Sequence, residues 1–295
     1  MNTSPLTQST ITSMIASELN ANQNSLQQLQ VQLSTGQNIS QPSDNPAGIE
    51  QLMGVSSTQT RFQQYQTNAQ TGLIVAQLGN QTLNNAISVL QSARSTILAA
   101  GGPGITAQSA QGLIQNLQGD YNSLLGLANT AYLGNAIFAG TTGSSTAYDG
   151  SGNYLGNSQS PATTVSPGFS ASTVVTSPFG TTGSSTNMFT AIQQAINDLQ
   201  SGNYGAVYST DLGNFDTAMS QVTSAAATQG EYVQQLTYMQ NQSTQALQDV
   251  QAQYGAIQNV NMAQVTTEYS QQLSNYQIAL NVASKSIEPT LAQFI

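Results

Sequence analysis

The sequence predicts a mainly α-helical protein: an elongated helical rod with paired N- and C-terminal coiled-coil helices and a small β insertion. Three observations support this fold class. Both ends of the chain carry narrow apolar stripes at heptad spacing, and long stretches between them have helical periodicity. Residues 141–186 are instead rich in Gly, Ser, Thr and Pro.

The N-terminal helix is predicted from Leu6 to about Ser34, a stretch without glycine that follows Pro5. Apolar residues occupy alternating a and d positions of a heptad, and Asn22 takes one d position. We call these residues, together with a matching set near the other end, the assembly seam. Its N-terminal part consists of Ile15, Leu19, Leu26, Leu29 and Leu33.

The C-terminal helix shows the same narrow pattern up to Ile287. Each terminal helix spans about 30 residues, or about 45 Å, and a two-in-seven stripe leaves it little to bury alone. The two ends therefore pair with each other, with copies in other subunits, or with both. The C-terminal part of the assembly seam consists of Met262, Tyr269, Leu273, Tyr276, Leu280 and Ile287.

Between the two terminal helices lie further long helical patterns, which flank a middle stretch of different composition. Gly101-Gly102-Pro103-Gly104 ends the first inner helix. Short β-prone pieces and four aromatic residues favour a packed β insertion over disorder. Helices are predicted at 45–100, 107–129, 187–200 and about 207–257, and strands at 162–165 and 172–176.

These patterns divide the chain into three predicted parts. Residues 1–42 and 258–295 form the terminal coiled-coil segment. Residues 43–140 and 187–257 form the helical rod domain. Residues 141–186 form the small β-rich insertion.

The stretch LSTGQNISQPSDNPAG, residues 33–48, is predicted to be an interhelical joint. Gly36 occupies the position after a helix end, where a positive φ is favourable. Asn45 or Ser43 can cap the next helix, Pro46 suits its first turn, and Asp44 lies near the positive end of its dipole. Each conspicuous residue thus has a backbone role, which argues against a catalytic loop.

The composition excludes several classes of function. Charged residues make up 5% of the chain, with three Lys and Arg and a net charge of -9. Binding to nucleic acid or to an anionic membrane surface is not expected, because both need clustered cations. The absence of Cys and His removes thiol chemistry, the usual zinc sites and histidine acid–base catalysis. The N-terminus has no Sec-type signal pattern, and no apolar run approaches a membrane span.

No constellation of residues predicts an active site. Asp211 and Asp216 lie five residues apart, the wrong phase for one helix face, and are expected to be solvated. The turn at 149–153 is read as a β-turn rather than a Ca²⁺ loop, and 101–104 as an interhelical turn rather than a phosphate loop. Ser284 and Lys285 are neighbours in a predicted helix, so their side chains point in different directions and a Ser–Lys catalytic dyad is not expected. No enzyme activity, catalytic residue, cofactor or metal ligand is therefore expected.

The scarcity of charge bears on acid tolerance. With every carboxylate protonated the net charge would be only about +4, so acid would add little repulsion and break few ion pairs. This favours a surface that faces an acidic medium. A neutral polar surface that simply suits a secreted polymer remains an equal alternative.

Residues 33–48 also carry a family resemblance. Leu33-Ser34-Thr35-Gly36, Ile39 and Pro42-Ser43-Asp44-Asn45-Pro46-Ala47-Gly48 resemble the N-terminal signature of the bacterial flagellin family. The stretch LLGLANTAYLGNAIFAGTT and the C-terminal YSQQLSNYQIALNVASKSIEPTLAQFI are most similar to its hook-associated protein 3 branch. Gln37-Asn38 departs from the basic residues usual there, so amide and apolar contacts should replace charged ones.

The resemblance implies a structural protein of the extracellular flagellum at the hook–filament junction. Such proteins leave the cell unfolded through the flagellar export apparatus, self-associate in a ring on hook-associated protein 1, and template the polymerisation of flagellin. The alternative within the family is flagellin itself, the filament subunit. The alternative outside it is a secreted adhesin or autolysin-type enzyme.

Overall fold

A computed structural model describes residues 8–43, 45–102 and 104–287. The prediction of a mainly helical chain is confirmed. None of the described helices is both long and apolar enough to cross a membrane. The helices are α1 (Gln8–Thr35), α2 (Pro46–Ala100), α3 (Ala107–Ala128), α4 (Met188–Gln200), α5 (Tyr204–Ala206), α6 (Leu212–Gln258) and α7 (Met262–Ile287), with a π-helical turn (Val207–Asp211) between α5 and α6.

The described strands form two short antiparallel hairpins, β1 (Ala131–Tyr132) with β2 (Asn135–Ala136) and β3 (Ala162–Ser166) with β4 (Phe169–Ser172). The first hairpin was not predicted. The predicted strand at 172–176 is wrong, because the chain turns at Pro167-Gly168 and β4 is already finished at Ser172. Gly168 has a φ of 74° there, as the third residue of a tight turn requires.

Local capping fixes where the inner helices begin. Thr106 and Ser109 form a reciprocal capping box at the start of α3. Asn187 caps α4 by accepting a hydrogen bond from the Thr190 amide at 3.0 Å. These side chains satisfy amides that have no partner within their own helix.

Packing divides the chain into two units, one with residues 61–247 and one with the residues up to Thr60 and from Gln248 on. The first unit has an aromatic centre of Phe138, Tyr148, Phe179 and Phe189, all fully enclosed. Tyr148 donates a hydrogen bond to the Gly180 carbonyl at 3.1 Å, and burial raises the pKa of its phenol. This centre joins the β insertion to α3 and α4 in one core.

Candidate assembly surface

The second unit is built on the pairing of α1 with α7. The five residues of the N-terminal part of the assembly seam are all partly buried on α1, as is Asn22, which continues their alternating spacing of three and four residues. Asn22 accepts a hydrogen bond from Gln272 of α7 at 2.8 Å. This side of α1 therefore lies against α7.

The covered side of α7 follows its own heptad, which includes Tyr269 and Tyr276 from the predicted seam. Between them lies Gln272, and the stripe ends at Ala283, which is 6% exposed. Gln272 and Ala279 thus lie in the covered stripe, where the predicted seam had placed their neighbours Leu273 and Leu280. The complete stripe is Val265, Tyr269, Gln272, Tyr276, Ala279 and Ala283.

The other predicted residues of α7 lie beside this stripe. Met262, Leu273 and Leu280 are 48%, 38% and 43% exposed. These residues are eleven and seven positions apart, so their side chains lie on one face of α7, next to the covered stripe. We call these three residues the outer stripe. The side chain of Ile287 lies outside the described residues.

The outer stripe shows that α1 covers only part of the apolar surface of α7. On the opposite flank Ile278 and Val282 are 58% and 56% exposed. Together with Ile15 and Leu19 of α1, they line a shallow groove of about 280 Å³. Buried methylene groups contribute roughly 0.8 kcal/mol each, so these exposed side chains would gain free energy in a further contact.

The connection between α1 and α2 is hydrogen-bonded to the connection between α6 and α7. The Asn38 amide donates to the Gln258 carbonyl at 2.6 Å, and the Val260 amide donates to the Gly36 carbonyl at 3.1 Å. Gly36 itself has a φ of 69° and donates to the Gln32 carbonyl at 2.8 Å. Two chain segments far apart in sequence thus close the unit.

The start of α2 completes this joint. Asn45 accepts a hydrogen bond from the Gly48 amide at 2.9 Å, and Pro46 is the first residue of the helix. Asp44 lies outside the described residues. Gly48 is closely packed, because a Cβ there would lie 2.5 Å from Cδ1 of Ile39, which is only 5% exposed, so the Ile39 side chain would have to shift. Sequence reasoning did not identify Gly48 as a close-packed position.

Among the described residues, no group of three or more acidic side chains is placed to hold a metal ion. Arg94 donates to both oxygens of Asp216, at 2.7 and 2.9 Å, and this hydrogen-bonded ion pair lowers the pKa of Asp216. Asp149 accepts hydrogen bonds from the Ser151 and Asn153 amides within its own turn. The expectation that Asp211 is solvated is wrong, since it is 1% exposed.

Comparison with known proteins agrees with the resemblance seen in the sequence. Residues 7–142 match the family model of the bacterial flagellin N-terminal helical region. Flagellar hook-associated protein 3 of Salmonella typhimurium is 30% identical over 131 residues, which are 44% of this chain and 41% of that protein. The chain thus matches less than half the length of this curated relative.

Solved structures share the fold at low sequence identity. A structure from Vibrio parahaemolyticus described as a flagellar hook-associated protein has a TM-score of 0.67 at 22% identity, covering 73% of this chain and all of its own. Flagellar hook-associated protein 3 from Legionella pneumophila has a TM-score of 0.59 at 15% identity, with 69% and 98% coverage.

Proposed function

Since residues 7–142 match the family model of the bacterial flagellin N-terminal helical region, we propose that this protein is a structural component of the flagellum that joins hook to filament. In this role it is exported through the flagellar export apparatus and self-associates in an extracellular ring. It binds hook-associated protein 1 on the hook side and flagellin on the filament side, where it templates flagellin polymerisation.

The observation that carries this proposal is the outer stripe of Met262, Leu273 and Leu280. A helix pair whose apolar surface is fully covered has no reason to associate further. Here α7 keeps an apolar face after α1 has packed against it. A repeated contact of this kind between unlike surfaces can extend along an axis, because each bound copy presents a fresh surface to the next.

Deletion of the gene tests the role. The expected cells carry hooks without filaments and release soluble flagellin into the medium. Loss of the filament without secreted flagellin would instead identify the protein as the filament subunit, the alternative within the family. The mass of the protein in sheared flagella is an independent measure, because a filament subunit would dominate it and a junction protein would be a trace component.

A variant tests the surface itself. Leu273→Gln with Leu280→Gln should leave the α1–α7 pair helical by circular dichroism but abolish incorporation into flagella. The matched control is Ser274→Ala with Gln277→Ala, two exposed changes on another face of α7. Normal incorporation of the Leu273/Leu280 variant would contradict the assignment of the outer stripe to assembly.

A further inference from the structure

An aspartate pair between α4 and the π-helical turn has no role in the proposed assembly. Asp211 ends the π-helical turn and is 1% exposed. Its Oδ2 atom is enclosed and receives no hydrogen bond from a donor group. Asp198 of α4 lines the same cavity of about 380 Å³. Two carboxyl groups, one of them buried and one partly buried, therefore line a single open cavity.

The remaining lining of the cavity offers no positive charge. Among the described residues that line it, α4 contributes Asp198, Thr190 and Gln194, and the start of α6 contributes Asn214. The other contributors carry hydroxyl, amide or methyl groups: Ser184, Ser185, Asn187, Ala191, Ala206 and Thr210. Asp198 is thus the charged group that faces Asp211, and neither carboxylate is neutralised by a cation here.

The two aspartates differ in how well their ionised forms are stabilised. Asp198 accepts hydrogen bonds from Gln194 at 3.1 Å and from Asn203 at 3.4 Å. Asp211 accepts none at its enclosed oxygen. Two ionised carboxylates can only accept, but one proton turns either of them into a donor. The proton belongs on Asp211, because Asp198 already has the donors that a carboxylate needs.

We propose that Asp198 and Asp211 form an acid latch, in which one shared proton ties the π-helical turn to α4 and is lost as the medium becomes neutral. Burial, and then the hydrogen bond and negative charge of Asp198, raise the pKa of Asp211 to about 6 from its ordinary 3.8. A raised carboxyl pKa favours the folded state below 3.8, and this contribution disappears as the pH rises through 6.

The latch contributes to stability at low pH, whereas two other acidic contacts contribute to it at higher pH. The pKa of Asp216 is lowered by its hydrogen bond to Arg94, and that of Asp149 by hydrogen bonds from Asn153. Those two contacts stabilise the fold above 3.8 and are lost as the pH falls below it. The unit with residues 61–247 should therefore be most stable in mildly acidic medium, between about pH 4 and 6.

Urea unfolding of the full chain between pH 5 and 7.5, followed by circular dichroism, tests the latch. The unfolding equilibrium constant of the wild type should rise about tenfold over this range. Asp211→Asn supplies a permanent donor to Asp198, so its constant should stay nearly level. Glu231→Gln, which removes an exposed carboxylate of α6 in the same unit, should keep the wild-type slope.

Asp198→Asn provides a second variant in case Asp211→Asn folds poorly, because it leaves Asp211 facing a neutral amide. It should reduce the slope without abolishing it, because the hydrogen bond and the negative charge of Asp198 are lost while Asp211 stays buried. An unchanged slope in either folded variant overturns the latch. The last measurement adds CaCl₂ at pH 7.5. If CaCl₂ stabilises the wild type but not Asp211→Asn, a metal ion rather than a shared proton joins the two carboxylates, and the proposal is overturned.

Discussion

At the scale of single residues, Gln229 shows how one side chain can fix several backbone segments. It is fully enclosed in α6, and its oxygen accepts a hydrogen bond from the Val175 amide at 3.0 Å. Its nitrogen donates to the carbonyls of Ala76 at 3.0 Å and Thr173 at 2.9 Å. A neutral amide supplies both kinds of group, which an ionised side chain could not do.

Replacement of Gln229 should therefore be costly. Gln229→Ala leaves the buried Val175 amide without its acceptor and creates a cavity, so the free energy of unfolding should fall by about 2–4 kcal/mol. Gln229→Glu should also destabilise the fold, since a carboxylate would face two carbonyl oxygens. Urea unfolding measures both changes.

The control for Gln229 is Gln235→Ala, an exposed position of the same helix. Its effect should stay within about 0.5 kcal/mol. A loss below about 1 kcal/mol for Gln229→Ala would show that water replaces the side chain and that the three hydrogen bonds are dispensable.

Residue environments were the part of the structure least accessible from the sequence. Gln229 is one amide among many in an amide-rich chain, and nothing in its spacing distinguishes it. Asp211 was expected to be solvated because a regular helix was assumed through residues 207–257. The π-helical turn holds one extra residue and so changes the phase of the helix face, which turns Asp211 inward.

At the scale of elements, the helices and the strand at 162–165 were predicted closely, whereas the other strands were not. The predicted end of the first inner helix at residue 100 and the start of the next at 107 agree with α2 and α3. Glycine, proline and capping residues mark these boundaries through local chemistry. The Pro167-Gly168 turn was the sequence feature from which the start of β4 could have been predicted. The β1–β2 hairpin was hidden, because Leu133 occupies a turn position with a φ of 50° that usually takes Asn or Gly.

The polar pair inside the α1–α7 contact gives a prediction for these two elements. Asn22 and Gln272 occupy seam positions where leucine would bury more apolar surface. Asn22→Leu with Gln272→Leu should raise the stability of the helix pair, but it should also allow other registers and self-association. Hydrogen exchange of residues 8–35 and 262–287 measures the first effect, and light scattering of the purified protein measures the second.

A single change at this pair tests whether the hydrogen bond between Asn22 and Gln272 contributes to the stability of the helix pair. Asn22→Leu alone leaves the Gln272 amide without its partner, so protection of α1 and α7 should fall by comparison with the double variant. Asn20→Leu with Gln271→Leu adds leucine at exposed positions and should not increase protection. Equal protection in the wild type and the double variant would contradict a stability cost at this pair.

At the scale of the whole molecule, the sequence predicted a chain whose two ends belong together. Heptad spacing at both termini indicated this, and the described parts of α1 and α7 do pack on one another. The predicted limits of the terminal segment, residues 42 and 258, remain a prediction. The width of the apolar surface on α7 could not be predicted, because spacing alone does not show which flank a partner helix covers.

The presence of two separate cores leads to a last prediction. Removal of residues 1–34 or 258–295 should abolish incorporation into flagella, since either change destroys the α1–α7 pair. The unit with residues 61–247 should stay folded, because its aromatic centre of Phe138, Tyr148, Phe179 and Phe189 lies within it. Far-UV circular dichroism should retain a cooperative thermal transition, and near-UV dichroism should retain the signal of the buried tyrosine. A truncated chain without such a transition would show that the middle unit depends on the terminal helices for its stability.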